Sequence, residues 1–308
     1  MNETSIPVDL YNPGQVFACL GFMEAAEILI GDVQGRFDWK DPIDTRFLMH
    51  ADFDENPFEA VLEHLSLAEV KEIYPRGWPE NVPDSTEVYP SPLNVHVDEK
   101  GKPSTTKLTG TLCLPNGKDD WAIDSWSDGS SRPEFKLYSG NRSGCSIARD
   151  MLFGKRNNPK NGQRVGDLAN EGIAQLLNNN KEELVTDPFN CLVDMAGSFN
   201  MDPRGAWNAM DAGYSPNTHG HAVLASPVVE FMACFSLQNM RPGPRKRNHF
   251  FYTVWDELLP VNLARPVLAA CLSPFNTRQF SFLLALSGKN KIITFAEEIN
   301  QTTIENHE

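Results

Sequence analysis

The chain has no CxxC pair, and its six cysteines (Cys19, Cys113, Cys145, Cys191, Cys234 and Cys271) are scattered along 308 residues. That spacing argues against a zinc ribbon or a disulfide framework. Mostly apolar or small neighbours predict reduced, packed thiols in a cytoplasmic protein. The longest apolar run, Val16 to Ile30, is interrupted by Glu24 and Glu27, so it is too short and too charged to span a bilayer. The opening MNETSIPVDLYNP has neither a basic n-region nor an apolar h-region, which predicts no secretory leader. Also missing are GxxxxGK(S/T), GxGxxG after a strand, GxSxG and HExxH. The commonest nucleotide-cradling loops, the hydrolase elbow and the zinc-protease helix go with them. No repeat of solenoid period occurs.

What is present is a soluble globular composition, with 41% hydrophobic and 22% charged residues, and a length that buries a core without staples. We expect one domain over residues 1–308, with irregular insertions near 75–105, 154–164 and 241–248 and a frayed tail at 300–308. Charge is unevenly spread. The first hundred residues carry 20 acids against 6 bases, while residues 101–308 carry 21 of each, so the whole balance of −14 sits in the N-terminal third.

Against that background Arg132 to Arg164 reverses sign, with eight bases and two acids, Glu134 and Asp150. The bases are Arg132, Lys136, Arg142, Arg149, Lys155, Arg156, Lys160 and Arg164. They flank a Gly-containing turn that opens a helix, where backbone amides and the helix dipole suit phosphate. Arginine adds forked donors, and Phe135, Tyr138 and Phe153 offer rings for stacking bases. A smaller patch, Arg241-Pro-Gly-Pro-Arg245-Lys246-Arg247, precedes the aromatic run Phe250-Phe251-Tyr252. For each patch alone the competing reading is a solvated loop.

Local signals predict the elements. Ile6–Tyr11 reads as a strand, and Asn12-Pro13-Gly14-Gln15 as a helix start with Asn12 the N-cap and Gln15 reaching back. The helix is apolar on most faces, with Glu24 and Glu27 marking a wet stripe, and Gly31 stops it. Two strands follow (GRFDWK, TRFLMHAD), then a helix around Pro57–Leu65 with Asn56 or Glu55 near its start. Prolines are dense from Pro75 to Pro103, which predicts an irregular connection. Further strands are expected at KLTGTLCL, WAIDSW, EFKLY, FFYTVW, QFSFLLAL and KIITFAEE. Helices are expected at Cys145–Phe153, Val165–Leu177 and Pro227–Met240. The pattern is α+β with one main sheet and large insertions, compatible with a ferredoxin-like module.

Other chemistry is thinly signalled. His219 and His221 lie on a turn and suit a metal or a general base, but no third ligand is near; His50, His64, His96 and His249 are isolated. Asp52, Asp54 and Glu55, or Asp119 and Asp120 with Asp124 and Asp128, have the composition of a magnesium site and equally of solvated turns. We therefore expect no catalytic residue, metal or cofactor.

Two segments carry a resemblance. PVDLYNPGQVFACLGFMEAAEILIG resembles the start of CRISPR-associated proteins of the subtype I-U (I-G) Csb group. FNMDPRGAWNAMDAGYSPNTHGHAVLASPVVEFMACFSLQNMRP is similar to the same group in its aromatic-x-x-Asp-Pro-Arg turn and Arg-Pro exit, and FKLYSGNRSGCSIARDML fits between them. The resemblance implies the RAMP superfamily: an RRM-like, ferredoxin-type core with large insertions, assembled on CRISPR guide RNA in a Cascade complex for antiviral defence. It implies other Cascade subunits as partners, with target DNA as a further contact and no membrane. Carried over to matching positions, it puts Arg204, Lys136, Arg142 and Arg149 at the RNA; charge alone adds Lys155, Arg156, Lys160, Arg164, Arg245, Lys246 and Arg247. No histidine matches a processing site, so a non-catalytic subunit is expected. The alternatives are a metal-independent endoribonuclease using His219 or His221, and an architectural subunit acting through protein contacts.

Overall fold

The computed structural model describes residues 2–73, 108–113, 121–122, 135, 137, 144–156, 168–194, 198–205, 224–270, 274–287 and 290–299. Strand β1 (Asn2–Pro7) leads into helix α1 (Pro13–Leu29), the hairpin β2 (Gln34–Asp38) and β3 (Arg46–Ala51), and α2 (Pro57–Leu67). Then come β4 (Glu69–Ile73), β5 (Leu108–Cys113), β6 (Trp121–Ala122), α3 (Gly144–Phe153), β7 (Lys155–Arg156), β8 (Leu168–Asn170), α4 (Ile173–Asn179), α5 (Lys181–Thr186) and β9 (Val193–Asp194). The C-terminal part holds β10 (Leu224–Ala225), α6 (Pro227–Ser236), β11 (Gly243–Lys246), β12 (His249–Trp255), β13 (Leu259–Pro260), α7 (Val261–Leu268), β14 (Thr277–Ser287), β15 (Asn290–Ile293) and β16 (Glu297–Glu298).

The fold is mixed α and β with antiparallel pairing throughout the described ladders. One sheet has the order β1-β3-β2-β13, so α1 carries the chain from β1 over β3 to β2; a second runs β11-β12-β14-β15, with β16 also on β14. β4 pairs with β5 rather than with β1.

Helix α1 is the hub, buried from Pro13 to Ala26. Gly14, Ala18, Gly21 and Ala25 recur at helical spacing and let α6 come close. A Cβ on Gly21 would lie 2.2 Å from the Met232 carbonyl oxygen, and one on Gly14 2.2 Å from that of Met201. Elsewhere on α1, Phe17 meets Tyr252 and Phe282 of the second sheet at 5.7 and 5.9 Å between ring centroids. The two sheets are joined where Trp255 Nε1 donates to the Gly35 carbonyl at 2.8 Å.

Caps form where local chemistry requires them. Asn12, Asn56 and Ser226 accept from the first-turn amides of Gln15, Phe58 and Val229. Gln15 reaches back past Asn12 to the amide of Asp9 at 2.7 Å. β1 begins and ends earlier than expected, because the Asp9 carboxylate takes the Tyr11 amide and turns the chain. At the far end Gly31 has φ +84°, the left-handed stop that glycine suits.

Other expectations are corrected. Glu24 is not on a wet stripe: it is 2% exposed, gripped by Arg265 Nε and Nη2 at 2.7 Å each and by Asn239 Nδ2 at 3.1 Å. Of the helix expected at Val165–Leu177, the described residues form β8 followed by α4. Gly172 separates them, and a Cβ there would sit 2.3 Å from the Gly154 nitrogen. Of EFKLY, the described residues Phe135 and Leu137 belong to no strand. KIITFAEE breaks into β15 and β16, with Thr294 bonding Leu283 between them. Residues 241–248 form an edge strand and its turn. Residues 75–105, most of 154–164 and 300–308 lie outside the described residues. Cys19, Cys145, Cys191 and Cys234 are buried free thiols, and burial pushes the pKa of Cys191 up to about 11. No helix among the described residues is long and apolar enough to cross a membrane.

Candidate nucleic-acid interface

The second basic patch is displayed on a hairpin. β11 pairs with β12 with a register shift between Pro244 and Lys246, and Asn248 closes the turn with φ 63°. Gly243 lies under the Phe251 ring, where a Cβ would be 2.2 Å from a ring carbon; this close approach fixes the edge strand against β12. Arg245, Lys246 and Arg247 are all exposed. None of the three is ion-paired with a described carboxylate.

The segment that opens the first patch packs against the same sheet. Phe135 packs on Phe250 of β12, with centroids 4.9 Å apart, and on Phe282 at 6.5 Å. Phe250 is paired with Pro244, next to Arg245. Leu137 is 1% exposed, and its carbonyl accepts from Asn200 Nδ2 at 3.0 Å. Asn200 in turn accepts from the Ile293 amide at its own carbonyl. The head of the Arg132–Arg164 stretch is therefore pinned to the sheet that carries the cationic hairpin.

Lys136, Arg142, Lys160 and Arg164 lie outside the described residues, as do Tyr138, His96, His219 and His221 and the acids Asp119, Asp120, Asp124 and Asp128. Arg149 is exposed on α3, with Nε and Nη2 donating to the Val70 carbonyl at 3.2 and 2.9 Å. Lys155 and Arg156 form β7, paired with β8. The described aromatic residues are committed to packing: Phe250, Phe251 and Tyr252 are buried, and the half-buried Phe135 and Phe153 lie against the core. Among the described residues no group of three or more His, Cys, Asp or Glu is arranged to hold a metal ion.

Arg204 is spent on protein acceptors. Nε and Nη2 hold Asp202, the latter at 2.7 Å, while Nη1 donates to Asn190 Oδ1 and Nη2 to the Phe189 carbonyl. Asp202 is fully buried and also accepts from Asn12 Nδ2 at 3.2 Å. Beneath them Glu230, 1% exposed, accepts from the Met201 and Asp202 amides at 3.1 and 2.8 Å. Burial pushes the Glu230 pKa up to about 7; the Asp202 carboxylate adds to that, and the amides oppose it. The two segments that carry the family resemblance therefore meet in one buried polar junction: the Asn-Pro-Gly-Gln helix start against the Asp-Pro-Arg turn. Asp202 and Glu230 were missed by sequence reasoning. The one available signal was an acid in the first turn of a helix otherwise apolar.

Comparison with protein-family models, with curated proteins and with solved structures gives no match to the chain.

Proposed function

We propose that the chain is a non-catalytic guide-RNA-binding subunit of a type I-U (I-G) CRISPR effector complex, acting in the cytoplasm with other Cascade subunits around it. The observation that carries this reading is the packing of Phe135 on Phe250. It ties the start of the Arg132–Arg164 stretch to the sheet whose edge exposes Arg245, Lys246 and Arg247. The head of the first basic stretch thus packs on the sheet that displays the second patch, an arrangement that suits a sugar-phosphate track. An RRM-like core is supported by the path β1-α1-β2 around β3, the split β-α-β of ferredoxin-like folds. Meeting of the two resemblance segments at Asn12 and Asp202 adds a second support.

The test is RNA affinity as a function of salt, using a labelled repeat-derived oligonucleotide and the triple variant Arg245→Ala, Lys246→Ala, Arg247→Ala. For single strands each phosphate contact contributes about 0.7 to the log–log slope, so loss of all three flattens it by about 2. An unchanged slope rejects the interface. The same RNA incubated in EDTA stays intact under this reading. Cleavage abolished by His219→Ala or His221→Ala would replace it with an endoribonuclease.

A further inference from the structure

A cleft of about 540 Å³ opens between the β1–α1 turn and the β2–β3 hairpin, with Arg204 and Arg278 on its wall. Both arginines invite an anion, but both are already neutralised: Arg204 by Asp202, and Arg278 by Glu298 through Nε and Nη2 at 2.7 Å each. Asp44, also on the lining, is paired with Arg46 at 3.1 Å. That leaves Asp9. It is exposed, its Oδ1 takes only the Tyr11 amide at 2.9 Å, and no described cation pairs with it. With each arginine's charge already balanced by its own carboxylate, an anionic ligand gains little net attraction from them and also faces Asp9. A cation meets Asp9 directly.

The rim adds a second feature. Tyr11 is 44% exposed and Ile43 95% exposed, so an aromatic and an aliphatic side chain reach solvent on the same cleft as the unpaired Asp9 carboxylate. An exposed aromatic next to an acid suits a guanidinium, which stacks on the ring while it pairs with the carboxylate. Ile43 would cover the stem or the apolar neighbour of such a side chain.

We propose that this cleft docks a basic side chain, an arginine before a lysine, carried on an extended segment of a partner protein. The inference does not depend on RNA binding, since the cationic hairpin takes no part in it.

The experiment follows the Ile43 methyl and Tyr11 ring signals by NMR at low salt. The probes are acetyl-Leu-Arg-Leu-amide, acetyl-Leu-Glu-Leu-amide and uridine 5′-monophosphate. The arginine peptide shifts both signals saturably, and the other two do not. Asp9→Asn keeps the acceptor for the Tyr11 amide, so the turn survives, and it weakens the arginine peptide about threefold, the size of one exposed ion pair. Arg247→Ala leaves that affinity unchanged. The proposal is overturned if the arginine peptide gives no saturable shift, if Asp9→Asn binds it equally well, or if the glutamate peptide or the nucleotide binds at least as tightly.

Discussion

Glu230 makes the stability of this protein depend on pH in a direction opposite to that of an ordinary paired carboxylate. In the unfolded chain it titrates near 4.5; folded, its pKa is about 7. Between those values the folded protein retains a proton that the unfolded chain has lost. The stabilisation is thus complete below 4.5 and is lost as pH rises through 7. At 1.36 kcal/mol per unit, the loss amounts to about 3 kcal/mol. Glu230→Gln stays neutral at every pH and keeps an oxygen for the Met201 and Asp202 amides. Its stability relative to the parent should therefore rise by about 3 kcal/mol between pH 5 and pH 8, measured as the difference of two urea titrations at 25 °C. The comparison between variant and parent cancels other titrating groups. One of these is His64, whose pKa is lowered by burial and which pulls the profile the other way. Parallel pH profiles for parent and variant would refute the reasoning.

Removing the arginine partner of Glu24 strands a buried charge: Arg265→Met should cost about 3 kcal/mol, and adding Glu24→Gln should recover most of it, by urea midpoint. Gly21→Ala drives a methyl group against the Met232 carbonyl and should cost about 2–3 kcal/mol. Gly31→Ala, with φ +84° and open space around it, should cost about 1 kcal/mol, so the ratio of the two losses tests the close α1–α6 approach. Phe135→Ala removes no charge, yet it should lower RNA affinity severalfold by releasing the basic stretch from the sheet. Phe135→Leu, which still fills the space against Phe250, should retain most of it; equal affinity for the parent and both variants would show that the packing does not organise the interface.

Local instructions were readable because they act within a turn of the residues that issue them. Asn12, Asn56 and Ser226 cap helices, and Gly31 ends one, whatever the rest of the chain does. Periodicity misled where a non-local contact outranked it. Leu168 and Ala169 continue the apolar spacing of α4, but Gly172 must pass against Gly154 at the end of α3, and the spacing is cut there. Glu24 read as solvent-facing because its partner, Arg265, lies 241 residues away. That arginine sits in α7, whose internal Pro266 hides the helix from a pattern search. The interface divides in the same manner. The charges are visible as two separate runs, whereas the contact that brings the head of the first run to the sheet of the second, Phe135 on Phe250, links aromatic residues that the core claims.

The Asn-Pro-Gly-Gln helix start and the Asp-Pro-Arg turn occupy a different part of the described structure from the cationic hairpin, so the two can be perturbed separately. The resembling segments converge on Asn12, Asp202, Arg204 and Glu230, a junction with little surface of its own, whose buried Asp202 and Glu230 must be satisfied for the β1–α1 turn and α6 to dock. Arg245, Lys246 and Arg247 stand exposed on the hairpin of the second sheet. Physical economy explains the split: a buried network tolerates few alternatives, while a phosphate track needs only charge at roughly the right place. Substitutions at the junction should consequently move the unfolding midpoint and leave the salt slope of RNA binding alone, and substitutions on the hairpin should do the reverse. If instead Asn12→Ala flattened the salt slope at constant stability, Arg204 and its neighbours would belong to the RNA contact after all, and the junction would have to open when the guide binds.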